Sequence, residues 1–202
     1  ITAKMKKTFY TEAAYICGII VLSAGTVLME RAGFGMSMVV APAYLVYLKL
    51  AQHLPWFTFG MAEYCLQAVL LCLCAVLTKR FRPMYLFSFV TAVIYGFVLD
   101  AMMSPGGFLP ADTVLMRVLL YSAGMVLGAA GVALLFHTYI APEAYELLVR
   151  EISAKFQYDI RTVKTVYDCC SCLAAVILSF AFFGLGHFEG IKAGTVLCAL
   201  VN

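Results

Sequence analysis

The chain has 202 residues, of which 64% are hydrophobic and 12% are charged; its net charge is +3 and its mean hydropathy is +0.95. A soluble domain averages about 45–50% apolar and about 25% charged residues, so this composition excludes an ordinary soluble domain. The 14 basic residues are dispersed between apolar runs and form no single patch, which argues against nucleic acid as a partner. The expected surroundings are a lipid bilayer.

Long uncharged apolar runs occupy residues 13–29, 64–78, 84–99, 118–136 and 169–186. Each approaches the roughly 17–25 residues that a helix needs to cross about 30 Å of hydrocarbon. None has the polar face at 3.6-residue spacing that a soluble helical core requires. The sequence therefore predicts an all-α membrane protein with about six transmembrane helices and two short re-entrant or interfacial helices.

The basic residues also predict an orientation. With a cytoplasmic N-terminus, ten of the 14 fall on the cytoplasmic side, in the segments 4–7, 79–82 and 150–164. The run 13–29 is too long for a typical signal peptide and has no convincing cleavage site, so we expect no cleaved signal.

An internal repeat becomes visible when the halves are shifted by about one hundred residues. Residues 23–28 (SAGTVL) recur as 122–127 (SAGMVL), 41–45 (APAYL) as 141–145 (APEAY), and 75–77 (AVL) as 176–178 (VIL). This register pairs Thr58 with Asp159, as two helix N-caps, and Gln67 with Asp168. Each half is then a long helix, a short helix starting at a proline, another long helix and a fourth span.

If the short helices do not cross, each half crosses three times and the two repeats have inverted topology. We expect residues 34–53 to be re-entrant or interfacial, because only then do the basic loops lie on one side. The charged counterpart 142–156 is expected to lie along the cytoplasmic surface as an amphipathic helix. The predicted organisation is a cytoplasmic segment 1–12, a first repeat 13–103, an outer loop 104–112 and a second repeat 113–202.

Three stretches resemble a known family: 33–37 (GFGMS), the helix start at 161–168, and the closing 190–197 (GIKAGTVL). They are similar to YczE/YitT-type bacterial integral membrane proteins. The resemblance implies a multi-pass protein of the bacterial inner membrane, often without an assigned substrate. Lys192 and Ala193 depart from a small apolar glycine motif. The sequence also stops within a predicted span, so we expect further C-terminal residues.

Polar groups within spans are the candidates for function, because a charge at the bilayer centre costs roughly 2.5–3.5 kcal/mol. Asp168 is the first candidate, as a proton carrier or cation ligand; the alternative is an interfacial ion pair with Lys164 one turn earlier. Glu63 and Gln67, one turn apart, are predicted to line the same cavity from the first repeat. The alternative is that Glu63 lies at the outer interface of the membrane and lines no cavity.

A second candidate segment lies at the end of the first helix. Glu30 and Arg31 directly precede Gly33 and Gly35, a break that would expose backbone groups to a ligand as far as Ser37. The alternative is a charge cluster at a helix end.

Other polar and aromatic residues have simpler structural explanations. Asp100 and Arg117 are expected to pair and tie down the outer loop. The eight cysteines are expected to pack as small apolar residues, and the following aromatic residues to anchor the chain at the outer interface: Tyr44, Tyr47, Trp56, Phe57 and Phe59.

The leading functional prediction is a secondary-type transporter of a small solute, because inverted repeats around broken helices are common in such proteins. Alternatives are the substrate-binding membrane subunit of a vitamin uptake system and a non-transport scaffold or regulator. The absence of a phosphate-binding loop excludes a self-contained ATP-driven pump. No nucleophile and base pair is evident inside the spans, so we predict no enzyme and neither metal nor cofactor. Homo-oligomers or partner subunits are compatible with the small residues along the spans.

Overall fold

The computed structural model describes residues 2–103, 113–136, 138, 143–184 and 195; for residues 2–10 and 136 it describes the backbone alone. Seven α-helices lie in these residues: α1 (Thr2–Ala32), α2 (Ala41–Ala51), α3 (Phe59–Thr78), α4 (Pro83–Met103), α5 (Val114–Phe136), α6 (Ala144–Phe156) and α7 (Ile160–Phe183).

Five of these helices are long and apolar enough to cross a membrane: Thr11–Ala32, Phe59–Thr78, Pro83–Met103, Val114–Leu135 and Ile160–Phe183. They cover all or most of each of the five predicted runs, which confirms a multi-pass helical membrane protein. Much of their outer surface is apolar and exposed, as lipid contact requires. The predicted sixth crossing and the outer loop 104–112 lie outside the described residues.

The helices α1 and α5 pack closely and antiparallel, with glycines at the contact. A Cβ atom placed on Gly25 would lie 2.8 Å from the Gly124 carbonyl oxygen, and one on Gly124 would lie equally close to the Gly25 carbonyl oxygen. Towards the other ends of the two helices, Gly18 adjoins Leu135. Small residues let two backbones approach in this way where lipid offers no hydrophobic driving force between helices.

Both predicted N-cap positions of the long helices α3 and α7 are confirmed, at Thr58 and Asp159, but the Asp159 side chain makes no capping hydrogen bond. The Thr58 hydroxyl accepts a hydrogen bond from the Met61 backbone N–H (3.2 Å) and donates one to Asp100 Oδ2 (2.6 Å). Asp100 also accepts from the Gly60 backbone N–H at 2.7 Å. The end of α4 therefore binds the start of α3, a contact that the sequence did not predict, and the two helices are antiparallel.

The short helix α2 runs alongside the second half of α7, in the same direction. At its start, the Ser171 hydroxyl donates to the Met38 carbonyl oxygen at 2.7 Å; at its end, Lys49 Nζ donates to the Phe182 carbonyl oxygen at 3.3 Å. The ring of Tyr44 also contacts that of Phe59, at the start of α3, with centroids 5.3 Å apart. The segment thus runs along α7 from the middle of that helix to its end.

The short helix α6 repeats this arrangement on α3. The Ala144 backbone N–H donates to Gln67 Oε1 at 3.2 Å, and Lys155 Nζ donates to the Leu77 carbonyl oxygen at 2.6 Å. Its residues Ala144 and 146–149 are buried, whereas Arg150 and Lys155 are exposed. The prediction of a helix lying flat on the surface is therefore wrong for its first turns, which enter the bundle.

The glycine contact between α1 and α5 generates a prediction. Replacing Gly25 by alanine should lower stability by about 1–3 kcal/mol, because the added Cβ would lie 2.7 Å from the Gly128 backbone nitrogen. The measurement is thermal unfolding of the protein in detergent micelles.

Gly128→Ala is the matched control on the facing helix. A Cβ on Gly128 meets no atom within 4 Å, and alanine is the better helix former, so its stability should be unchanged or slightly raised. Equal loss in both variants would contradict the close approach.

Candidate functional site

The site is a group of four carboxyl groups inside the bundle, which we call the carboxyl cluster: Glu63, Glu143, Glu146 and Asp168. Glu63 comes from α3, Asp168 from α7, and the other two from the N-cap and first turn of α6. Glu63 is 2% exposed, Glu146 7% and Asp168 8%. Electrostatic interactions link Glu143 with both Glu63 and Glu146. Asp168 is connected to them through two tyrosines, since Tyr145 interacts with Asp168 and Glu146, and Tyr167 with Asp168 and Glu63.

Gln67 connects this cluster to the backbone. Its Oε1 atom accepts from the first backbone N–H of α6, and its Nε2 donates to Glu63 Oε1 at 3.4 Å. A helix N-terminus has backbone N–H groups without intrahelical partners, and inside a bilayer no water satisfies them. Gln67 therefore holds the start of α6 at this depth and orients Glu63 through the same amide group.

Several carboxyl oxygen atoms of the cluster are buried without a hydrogen-bond partner: Glu63 Oε2, Glu143 Oε1 and Glu146 Oε2. Burial raises the pKa of Glu143 to about 7 and that of Glu146 to about 8, because the low-dielectric interior disfavours the charged form. Glu143 raises the Glu146 pKa further, whereas Lys164 and Arg150 lower it. Glu143 and Glu146 can thus hold protons near neutral pH.

Tyrosine rings border the carboxyl cluster. The Tyr145 hydroxyl donates to Asp168 Oδ1 at 3.4 Å, and the Tyr145 and Tyr167 ring centroids are 4.6 Å apart. Tyr167 interacts electrostatically with both Glu63 and Asp168, and so lies between the α3 and α7 carboxyl groups. Tyr95 of α4, which is buried, interacts with Glu63 and Glu143 and donates to or accepts from Thr26 at 2.9 Å.

The broken segment after α1 reaches the same region from the other end of the bundle. Gly33, at φ 69°, ends α1, with its N–H bonded to the Glu30 carbonyl oxygen at 3.0 Å. Gly35 has φ 105°, which only glycine adopts without strain. From Ser37 the chain enters α2, and the next carbonyl, of Met38, binds Ser171, one turn after Asp168 on α7. The start of α2 is thereby brought to the Asp168 side of the cluster.

The structure brings together Asp168, Glu63 and Gln67, the first three sequence candidates, and buries all of them. Lys164 lies near enough to Asp168 to interact electrostatically, but the hydrogen-bond donor to Asp168 is Tyr145. Glu63 is buried in the protein about one turn after the start of α3.

The other candidates lie elsewhere. Glu30 accepts from the Tyr44 hydroxyl at 3.4 Å, at the contact between the end of α1 and the first turn of α2, and Arg31 follows it as a half-buried residue. Gly33, Gly35 and Ser37 shape the re-entrant turn, and the contact that joins this turn to α7 is made by Met38.

Four residues of this region were not sequence candidates: Glu143, Glu146, Tyr145 and Tyr167. The charge of segment 142–156 had indicated the membrane surface. The predicted repeat carries the opposite signal, because it pairs this segment with 34–53, for which a re-entrant position was expected. Among the described residues, no three carboxylate, histidine or cysteine side chains converge as a metal-ion site.

Comparison with known proteins identifies the family. A family of unknown function, DUF6198, matches residues 9–202, and the chain belongs to that family. No curated protein matches the chain. No solved structure matches it either.

The carboxyl groups of α6 generate a prediction for stability against pH. Because the folded-state pKa values of Glu143 and Glu146 are raised above 4.5, the folded protein binds more protons than the unfolded chain between about pH 4.5 and pH 8. Stability should therefore fall as pH rises through this window. Glu146→Gln should leave stability at pH 4.5 unchanged and raise the unfolding temperature at pH 8 by several degrees.

Glu151→Gln is the control on the same helix, since Glu151 is paired with Arg82 at 2.7 Å and lies outside the cluster. It should show no gain at pH 8. Thermal unfolding at pH 4.5, 6.5 and 8 checks both variants, and a Glu146→Gln protein with an unchanged pH profile would contradict the assignment.

Proposed function

We propose that the protein is a secondary-type membrane transporter of a small solute, with the solute site at the carboxyl cluster. One observation carries the proposal: α2 and α6 begin in the middle of the bundle, from opposite ends, against polar side chains of α7 and α3. Short helices that start at mid-depth and buried polar groups between two such starts are a recurring arrangement of transporter sites.

The contacts between α1 and α5 support a construction from two inverted repeats. Gly25 adjoins Gly128, and Gly124 adjoins Met29. Gly124 lies 99 positions after Gly25, and Gly128 lies 99 positions after Met29. The contact of Gly25 with Gly128 therefore corresponds to the contact of Gly124 with Met29. Such reciprocity is what a two-fold relation between the repeats requires, and the antiparallel direction of α1 and α5 makes the relation an inversion.

The short helices support the same relation. Helix α2 of the first half packs along α7 of the second, and α6 of the second half packs along α3 of the first. Each half therefore supplies the short helix that covers the other half's long helix. If the two halves exchange conformations, the site between them opens alternately to each side of the membrane.

The distribution of basic residues supports a cytoplasmic location for the end of the bundle where α3 ends and α7 begins. Lys79, Arg80, Arg82, Arg150 and Arg161 are all exposed there. Because α1 is antiparallel to α5, whose end leads to α6, the N-terminus belongs to the same side. The proposed location is the bacterial inner membrane, and kinship with YczE/YitT-type proteins stays a prediction.

Alternating access can be tested before the solute is known. In a variant with all eight natural cysteines replaced by serine or alanine, Ser171→Cys places a thiol beside the cluster. We expect a membrane-impermeant maleimide to label this thiol from both faces of sealed vesicles, since each face gains access to the site in turn.

Ser23→Cys is the matched control: Ser23 is also a buried serine between apolar neighbours, but it lies on α1, which supplies no carboxyl group to the cluster. It should resist labelling from either side. Failure to label Ser171→Cys from both faces would contradict transport and favour a scaffold. Labelling together with co-purifying ATPase subunits would favour the uptake-system subunit.

A further inference from the structure

We propose that the carboxyl cluster binds a small organic cation in exchange for protons, so that the same carboxyl groups carry either a proton or the cation. The inference rests on the proposed transport function and specifies its solute class and its coupling. Four carboxyl groups lie within the cluster, and three of their oxygen atoms are buried without a partner. These oxygens accept hydrogen bonds or bind positive charge.

The charges around the cluster do not balance four carboxylates. Of the basic groups that interact with it, Arg150 is exposed and Lys164 half-buried, and neither donates a described hydrogen bond to a cluster carboxyl group. The start of α6 contributes a partial positive charge, equivalent to about half a unit. Buried carboxylates without compensation are costly, so the empty site must be protonated.

The tyrosines favour an organic cation. Tyr145 and Tyr167 stand together beside Asp168, and Tyr167 also lies near Glu63. The face of an aromatic ring attracts ammonium ions, and combining such faces with carboxylates is a common way to bind them. A neutral solute would leave the unpartnered carboxyl groups uncompensated, and an anion would be repelled.

Exchange follows from charge balance. When a monovalent cation enters, a neutral carboxyl group must release its proton to the solution to become the carboxylate that pairs with the cation. When the cation leaves, a proton returns to the same oxygen. One positive charge is thus held in either state, and the interior is never left with an uncompensated carboxylate.

The test is ligand binding to the full chain in detergent, with quaternary ammonium probes that cannot themselves release a proton: tetramethylammonium, tetraethylammonium and benzyltrimethylammonium, each as the chloride. We expect at least one probe to raise the unfolding temperature, more strongly at pH 8 than at pH 6, because protons compete for the site. Adding that probe to a weakly buffered sample at pH 6, where the carboxyl groups of the free protein are still protonated, should release about one proton per cation bound.

Two isosteric variants, Glu63→Gln and Asp168→Asn, each remove one carboxylate, and either should weaken the response to the probe at least tenfold. Glu151→Gln, on α6 but paired with Arg82, should respond as the parent does. The variants that remain monodisperse are compared, and the proton count on the parent does not depend on them.

Stabilisation by none of the probes, stabilisation only by sodium, potassium or magnesium chloride, or binding without proton release would each overturn the inference. The proposed transport function is judged separately by the labelling of Ser171→Cys. Labelling from both faces without cation binding would indicate a transporter of another solute. Cation binding without labelling would indicate a binding protein that does not transport.

Discussion

The rest of the fold depends on how the backbone N–H and carbonyl groups at the starts of two short helices find hydrogen-bond partners in the apolar interior of the bundle. A helix that begins at mid-depth exposes N–H groups, and the segment leading to it exposes carbonyl groups. Two side chains meet this demand: Gln67 accepts from Ala144, and Ser171 donates to Met38. Each belongs to a long helix of one half and binds the interrupted segment of the other, so the two halves fix each other's broken elements.

The carboxyl cluster follows from this constraint. Because α6 starts inside the bundle, the acidic residues at its N-cap and first turn, Glu143 and Glu146, are carried inside with it. The partial positive charge of the helix start favours acidic groups there, but it offsets only a fraction of one charge. A protein that needed only stability would place apolar residues at these positions. The start of α6 thus adds two acidic side chains to the buried Glu63 and Asp168 of α3 and α7.

The sequence predicted much of the framework and less of the site. The five long helices follow from uncharged runs, and the caps at Thr58 and Asp159 follow from residue type and repeat register. Burial of Asp168, Glu63 and Gln67 was predictable because polar residues within a span rarely face lipid. Glu143 and Glu146 were not placed, because charge density in a short helix normally indicates a solvated face and only tertiary contacts with α3 reverse it.

The contact between Asp100 and the start of α3 shows a different limit. Asp100 at the end of one span and Arg117 at the start of the next suggest an ion pair. The sequence around Asp100 does not show whether its partner is this arginine or the N-terminus of another helix. The structure gives Asp100 the Thr58 hydroxyl and the Gly60 N–H, because α3 and α4 cross at Gly60 and Gly96 with little space between their backbones. Close packing at glycines, which depends on both helices at once, decides the partner.

The contacts that join the two halves differ in kind. Between α1 and α5, the backbones touch at Gly25 and Gly124, and the Met29 and Leu135 side chains pack against Gly124 and Gly18. Around the carboxyl cluster the halves are joined by a few polar contacts, from Gln67, Ser171 and Tyr145. A change of charge in the cluster alters those contacts directly. In the proposed transporter, protonation or cation binding would therefore act on the relative position of the halves, because the groups that carry the charge lie beside the groups that hold the halves together.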